Sequence, residues 1–355
     1  MSKILVSGST FGPGGAARVV ANLSHVLPDH FTEVIVILWK KQDIFYKIDT
    51  RSRVLWVDDE AGKSNEAKRL LWFRSFVKRE NPNLILSFLE PYNIRVLLST
   101  IGLHIKTIVA ERNDPRVVNG TWIMNKIEKT IYRLADGILV QTQTIADFFD
   151  GALKKKTTII YNPVSIDKSM VGQALRVQKE KKIVSVARLM PQKKLNDLIN
   201  AFELFSKTHS DYILEIYGEG PEKENLLKEI RTKSLEGMIH LCGTRKNIHD
   251  VICSAVLFAL VSDREGMSNA MIEAMCLGLP CVCTEVSGAI DLINPKINGL
   301  LVKVGNVRMI AEAMAEIADN KEMANLIGEN ASMLYNRLNP DIIYKEWIDY
   351  LLHQI

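Results

Sequence analysis

Val256-Leu257-Phe258-Ala259-Leu260-Val261, followed at once by Ser262-Asp263-Arg264-Glu265-Gly266-Met267-Ser268-Asn269-Ala270-Met271-Ile272-Glu273-Ala274-Met275, is the stretch on which the fold turns. Six apolar residues in a row suit a strand buried on both faces, as in a parallel sheet covered by helices. Ser268 or Asn269 then offers an N-cap for the helix that follows. Strand, loop and helix in that order form half of a βαβ unit. Glu265 falls in the loop at the carboxyl end of the strand, and Glu273 about one turn inside the helix. Gly266 lets the backbone turn between them without a side chain in the way.

The same rhythm extends in both directions. In the first half, strands are expected at Lys3–Ser7, Glu33–Leu38, Leu84–Phe88, Thr107–Ala110, Gly137–Gln141 and Thr157–Tyr161, with helices near 15–27, 65–79, 91–102, 120–134 and 143–150. In the second half, strands are expected at Lys182–Ala187, Tyr212–Tyr217, Met238–Leu241, Val256–Val261, Pro280–Thr284 and Gly299–Val302, with helices near 195–208, 222–234, 247–254, 269–277 and 306–318. Alternation of this kind predicts an α/β chain of two doubly wound parallel sheets. The break falls at Tyr161-Asn162-Pro163-Val164, where proline disfavours helix, and a polar, lysine-rich tract runs on to Lys182. The expected division is residues 1–164, residues 165–338, and an added helix over 339–355 returning toward the first domain. Two such domains facing each other define a central ligand cleft.

Length and composition agree with two domains. The chain has 355 residues, 47% hydrophobic and 24% charged, with a net charge of +4. Disordered and collagen-like chains are excluded. Residues 1–165 carry 23 Lys+Arg against 16 Asp+Glu, a balance of +7, whereas residues 166–355 carry 22 against 25, a balance of −3. A basic first half points to an anionic partner. The five cysteines lie in the second half, mostly in apolar runs, and their odd number fits reduced thiols in a cytoplasmic protein. Cys281 and Cys283 lack a second Cys/His pair at ligand spacing and are expected in the core. The chain starts a strand immediately, leaving no room for a signal peptide, and no apolar run reaches membrane-spanning length. Any membrane contact is therefore expected to be peripheral.

Gly8-Ser9-Thr10-Phe11-Gly12-Pro13-Gly14-Gly15 follows the first strand and opens a helix. It reads equally as a phosphate-facing loop and as a flexible connection. A nicotinamide or flavin site would need Gly-x-Gly-x-x-Gly and an acidic residue closing the second strand. This strand closes with Leu38-Trp39-Lys40-Lys41. Phosphates have a better candidate in the second half. There the first strand runs into Arg188, and Lys193 stands five residues later at a helix start; arginine binds phosphate oxygens bidentately and lysine adds a point charge. Amides around Met267, Ser268, Asn269 and Ala270 would hold phosphate at the helix start, leaving Glu265 and Glu273 for hydroxyls on either side.

At these residues the sequence resembles the GT-B glycosyltransferases of the large retaining family 4, also called group 1. Glu265-x7-Glu273 with Gly266 through Ala270 and Gly278-Leu279-Pro280 matches its two-glutamate motif. Val186-Ala187-Arg188-Leu189 with Lys193 matches its phosphate-binding strand end, Tyr217-Gly218-Glu219-Gly220-Pro221 its glycine turn beside the nucleotide, and Gly14-Gly15-Ala16-Ala17-Arg18 its first loop. The resemblance covers nearly the whole chain. It implies two Rossmann-like domains, the first binding acceptor and the second binding donor. It also implies a hexose or N-acetylhexosamine moved from a nucleotide-diphosphate sugar, UDP foremost, to a glycan or lipid-linked hydroxyl in polysaccharide biosynthesis. Glu265, Arg188 and Lys193 would be catalytic. Gly266, Met267, Ser268, Asn269, Ala270, Glu273, Gly218, Gly14 and Gly15 would bind donor. Neither metal nor cofactor is implied, and configuration would be retained by front-face attack on a sugar whose diphosphate leaving group is stabilised.

One departure concerns the acceptor side. Many family members carry a histidine after the fourth N-terminal strand; here the segment is Glu111-Arg112-Asn113-Asp114-Pro115, so Arg112 or Asn113 takes that place, and His104 reads as a surface residue. The segment resembles a subgroup that builds bacterial surface polysaccharides and lipid-linked oligosaccharides. Lys68, Arg69, Arg74, Lys78 and Arg79, mixed with Leu70, Leu71, Trp72, Phe73, Phe76 and Val77 over 65–79, read either as a helix touching an anionic membrane on the inner face of the cell membrane or as a domain helix packing its apolar face. No nucleic-acid recognition module accompanies the charge. The competing readings are another GT-B enzyme, such as a nucleotide-sugar epimerase or a phosphorylase, and a non-catalytic sugar-nucleotide-binding subunit.

Overall fold

A computed structural model describes residues 2–10, 12, 14–63, 65–118 and 121–355, with backbone alone at 117 and 118. It divides into two compact units, residues 1–162 with 341–355, and residues 163–340. The first contains strands β1 (Lys3–Gly8), β2 (Glu33–Leu38), β3 (Ser52–Trp56), β4 (Leu84–Phe88), β5 (Lys106–Ala110), β6 (Gly137–Val140) and β7 (Thr157–Ile159). They form one sheet in the order β3-β2-β1-β4-β5-β6-β7, every pair parallel. The second contains β8 (Lys182–Val186), β9 (Ile213–Tyr217), β10 (Ile239–Gly243), β11 (Leu257–Leu260), β12 (Cys281–Thr284) and β13 (Leu300–Val302) in the order β10-β9-β8-β11-β12-β13, again all parallel. The doubly wound parallel architecture is as the sequence predicts. Strand order reverses between β1 and β4 in one sheet and between β8 and β11 in the other. Those are the places where a doubly wound sheet opens a crevice at its carboxyl edge.

Side-chain alternation explains the two layers on each sheet. On β1, Ile4 and Val6 join a core with Val20 and Leu23 of helix Gly15–Val26. Leu5 points the other way, into a core with Phe73, Phe76 and Val77 of helix Glu66–Glu80. In the second unit, Ile183, Leu214, Leu257 and Val282 pack against Leu198 and Phe202 of helix Leu195–Ser206 and Met314 of helix Val307–Asp319. All five cysteines are free thiols; four are buried and Cys242 is half-buried. Burial pushes Cys253 up to about 11 and Cys276 to about 12, so neither supplies thiolate at neutral pH.

Several elements depart from the sequence reading. Strand β3 is absent from it, because Ser52–Trp56 is a half-exposed edge strand interrupted by Arg53. The lysine-rich tract before Lys182 is not an open linker. Gly172 N–H donates to the Cys276 carbonyl at 3.1 Å and Ala174 N–H to Leu277 at 2.9 Å, laying the tract against the second unit. Helix Lys321–Ser332 follows Val307–Asp319 after a single residue, Asn320, whose side chain accepts from Met323 N–H. The helix expected over 65–79 uses its aromatic residues internally. Phe73 and Phe76 are buried, and Arg69 turns inward to donate to the Trp39 carbonyl and pair with Asp58 at 3.2 Å. On this helix Leu71 is exposed, and Leu70 and Trp72 are partly buried against the core.

The last helix, Pro340–His353, belongs to the first unit from Asp341 onward. Ile343, Trp347, Ile348 and Leu351 are buried in the same core as Ile4 and Leu84, and Trp347 stacks on Phe88 of β4 with ring centroids 5.9 Å apart. Trp347 is wholly buried. Trp347→Ala should therefore lower the stability of the first unit by about 3–5 kcal/mol, read as a fall in the denaturant midpoint of its unfolding.

Candidate active site

The loops leaving β8 and β11 flank the reversal point of the second sheet, and hydrogen bonds tie them together. Asp263 N–H donates to the Gln192 carbonyl at 2.9 Å. Lys193, at the end of a short 3₁₀ turn Pro191–Lys193, places its Nζ on Oε1 of Glu265. Ser262 Oγ reaches the same carboxylate oxygen at 3.4 Å. Lys193 is nine-tenths buried, whereas Arg188 is exposed at the strand end. Burial first, then the like charge of Arg188, lowers the Lys193 ammonium to about 8. The carboxylate of Glu265 acts in the opposite sense, since it favours the charged ammonium. Lys193 and Glu265, singled out separately in the sequence, thus meet, and Arg188 is near enough for its charge to act on Lys193.

The backbone that carries Arg188 is held by the neighbouring strand. Ala187 N–H donates to Tyr217 and Leu189 N–H to Glu219. Gly218 stands at φ +142°, and a Cβ there would lie 1.9 Å from the Ala187 carbonyl oxygen. The glycine turn is thus required by close approach of two chains, and it fixes the direction in which Arg188 leaves β8. The loop after β11 is braced in the same way. Thr284 Oγ1 donates to the Ser262 carbonyl at 2.6 Å, and a Cβ on Gly288 would lie 2.5 Å from the Gly266 carbonyl oxygen.

Ser268 caps helix Asn269–Cys276, accepting from Met271 N–H at 3.4 Å. Gly266, Met267 and Ser268 are buried, while Asn269 and Ala270 are half-buried at the helix start. The amides of a first helical turn have no intrahelical acceptor, and the helix dipole adds positive potential there. Glu273, on the same helix, is buried and faces His249 of helix Ile248–Ser254, with Nε2 to Oε2 at 3.3 Å. His249 carries no motif, and only the pairing of β10 beside β9 brings it there. No group of three or more His, Cys, Asp or Glu able to hold a metal ion occurs among the described residues.

In the first unit, Gly14 caps helix Gly15–Val26 without a side chain, and a Cβ on it would meet nothing within 4 Å. Phe11 and Pro13 of that loop lie outside the described residues. The segment after β5 is internal. Glu111 accepts from the Arg112 and Asn113 amides at 2.9 and 3.2 Å and from Tyr132 Oη at 2.9 Å; Asn93 Nδ2 donates to Tyr132 Oη at 3.0 Å. Arg112 is buried: it donates to Asn162 Oδ1 and lies 6.0 Å from the ring centroids of Phe88 and Trp347. Burial lowers it to about 10. The arginine expected to face an acceptor instead fastens the chain where the first unit ends, while Asn113 beside it is exposed.

Two parallel doubly wound sheets, with paired cations and carboxylates at the reversal point of the second, have the construction of a GT-B glycosyltransferase. The family model described as Glycosyl transferases group 1 matches residues 168–333, and that described as Glycosyltransferase Family 4 matches residues 13–168. The chain belongs to this family of glycosyltransferases. It is 28% identical, over 99% of its length and 100% of the relative's, to the N-acetylgalactosamine-N,N'-diacetylbacillosaminyl-diphospho-undecaprenol 4-alpha-N-acetylgalactosaminyltransferase of Campylobacter jejuni. It is 22% identical to the amylovoran biosynthesis glycosyltransferase AmsD of Erwinia amylovora, over 98% of each chain. The crystal structure of Anabaena HepE in complex with UDP superposes with a TM-score of 0.81 at 19% identity, covering 99% of this chain and 100% of that one.

The Glu111 cluster generates a pH prediction. Burial raises this carboxyl from its ordinary 4.5 to about 7, against the hydrogen bonds it accepts. Between those values the folded chain keeps a proton at Glu111 that the unfolded chain has lost, so the stability this group contributes is full below about 4.5 and declines as pH climbs to 7. The shift corresponds to about 3 kcal/mol. Glu111→Gln should remove most of that decline, seen as a smaller drop in Tm between pH 5 and pH 8 than in the wild type.

Proposed function

We propose that the enzyme transfers a hexose or N-acetylhexosamine, with retention, from a UDP-sugar to a hydroxyl of a lipid-linked or polysaccharide acceptor. The observation that carries this reading is the junction of Arg188, Lys193 and Glu265 at the carboxyl ends of β8 and β11. A diphosphate leaving group needs fixed positive charge where its negative charge develops, and two side-chain cations supply it in a metal-independent transfer. Lys193 is paired with Glu265. An incoming diphosphate takes over the ammonium, and the freed carboxylate accepts hydrogen bonds from donor-sugar hydroxyls. Phosphate oxygens take the helix-start amides at Met267–Ala270, and Glu273, oriented by His249, takes the ribose hydroxyls. With the leaving group held, the acceptor oxygen bonds to the anomeric carbon on the face from which the diphosphate departs, the bond from that carbon to the diphosphate oxygen breaks, and the hydroxyl proton passes to the departing diphosphate oxygen.

Support for the acceptor class comes from relatives that act on diphospho-undecaprenol-linked sugars and in amylovoran biosynthesis. UDP as donor nucleotide is supported by the UDP held by the Anabaena neighbour.

Two measurements test the site. Glu265→Gln should cut transfer by roughly a hundredfold or more while UDP still binds; undiminished transfer overturns the assignment. Because Lys193 titrates near 8 in the free enzyme, UDP affinity should weaken as pH rises above that value. Calorimetric titration of Lys193→Met across the same range should show weaker binding and no such step.

A further inference from the structure

The second unit has a hollow at the edge of its sheet opposite the candidate donor site. Tyr212, Lys181, Val256 and Pro280 stand immediately before β9, β8, β11 and β12, which are neighbours in that order, and all four residues line it. Arg188 and Glu265 follow the carboxyl ends of β8 and β11, so the length of the strands separates the two places. Leu175, in the tract before β8, forms one wall. Ile317 and Ala318 of helix Val307–Asp319, with Ala324 of helix Lys321–Ser332, form another. The cavity measures about 220 Å³. An apolar cavity of about 150 Å³ suffices for a benzene ring, so this one has room for a ring with a substituent.

Beside these apolar walls stands a lysine. Lys179 lines the hollow and is half-buried. Its Nζ donates to the Cys253 carbonyl at 2.8 Å, its one hydrogen bond among the described residues, where it makes no ion pair. Two of the three N–H donors of an ammonium therefore have no protein acceptor. Burial lowers Lys179 to about 8, as befits an ammonium that has lost water and gained no carboxylate. The other charges at the rim divide unevenly. Lys181 pairs with Asp211, and Glu180 with Lys182 at 3.1 Å. Lys321 is exposed and makes no ion pair among the described residues. With the pairs set aside, two cations border an apolar hollow and no anion answers them.

We propose that this hollow is a second small-molecule site, which takes a compact carboxylate with an aromatic or branched apolar body. The body fills the space between Leu175, Ile317 and Ala324, and the carboxylate accepts from Lys179, with Lys321 at the rim. A neutral apolar molecule would leave the Lys179 ammonium unmatched, and a bare anion would leave the apolar walls uncovered. An anion with an apolar body answers both. Because the hollow and the candidate donor site lie at opposite edges of the sheet, the carboxylate and UDP bind together. The site does not rest on the transfer reaction proposed above.

The probe is 4-fluorobenzoate, followed by fluorine NMR line broadening on titration with the full chain. Its neutral match is 4-fluorobenzyl alcohol, and trifluoroacetate supplies an anion without a ring. A probe of this size should bind with a dissociation constant of about 1 mM. The alcohol and trifluoroacetate should each bind about tenfold more weakly. Lys179→Met, which keeps an apolar stem, should weaken fluorobenzoate by about tenfold and leave the alcohol unchanged. Ala318→Leu, at a half-buried wall position, should narrow the hollow and weaken both ring compounds. Lys106→Met, at a hollow of the first unit, should change neither. Saturating UDP should leave fluorobenzoate bound. Circular dichroism, Tm and UDP affinity of Lys179→Met should match wild type, which separates a lost ligand from a lost fold. If that variant does not fold, Lys321→Gln at the exposed rim takes its place, with a smaller loss of fluorobenzoate affinity expected. Wild type that leaves fluorobenzoate sharp at millimolar concentration, equal binding of acid and alcohol, folded lysine variants that bind like wild type, or displacement by UDP each overturns the proposal.

Discussion

The contact between Lys193 and Glu265 joins two loops that are far apart in sequence and begin on adjacent strands. Each charge alone would be unfavourable in a site this shielded from water; together, with the Asp263–Gln192 backbone bond beside them, they hold the second unit's reversal point in a defined shape. The rest of that unit depends on this join. The Gly218 turn holds the strand end that presents Arg188, and Gly288 lets a third backbone approach the loop that presents Glu265.

Much of this was legible in the sequence because it is local. A buried strand, a loop glutamate, a serine cap and a second glutamate eight residues on are all set by one strand–loop–helix segment, and Arg188 and Lys193 by another. What escaped is what depends on distant chain. His249 lies 24 residues from Glu273, and only sheet order brings the two together. Arg112 stands in an exposed-looking polar segment, yet Phe88, Trp347 and Asn162 enclose it. Strand β3 is too short and too charged to betray itself, and only pairing to β2 makes it a strand.

The two basic helices of the first half make the same point about orientation. Both are amphipathic by sequence. The one richer in aromatics turns them inward around Trp39, stacking Phe73 against it with centroids 5.3 Å apart. The other, Trp122–Tyr132, buries a glutamate and a tyrosine and leaves Ile123 and Ile127 outside. Periodicity tells that a helix has two faces; the partners available at its position decide which face the core receives. In this unit a buried hydrogen-bonded group, Glu111 with Tyr132 and Asn93, takes the place that an apolar stripe would otherwise fill.

The return of the C-terminal helix to the first unit has a consequence for how the chain is made. A ribosome releases residues 1–162 long before Trp347 exists, so the emerging first sheet lacks the side chains that close over Ile4, Leu84 and Phe88. The second unit, contiguous from 163 to 340, has all its partners as soon as it emerges. Assembly therefore finishes at the beginning: the first unit is completed only when residues 341–355 close over its sheet.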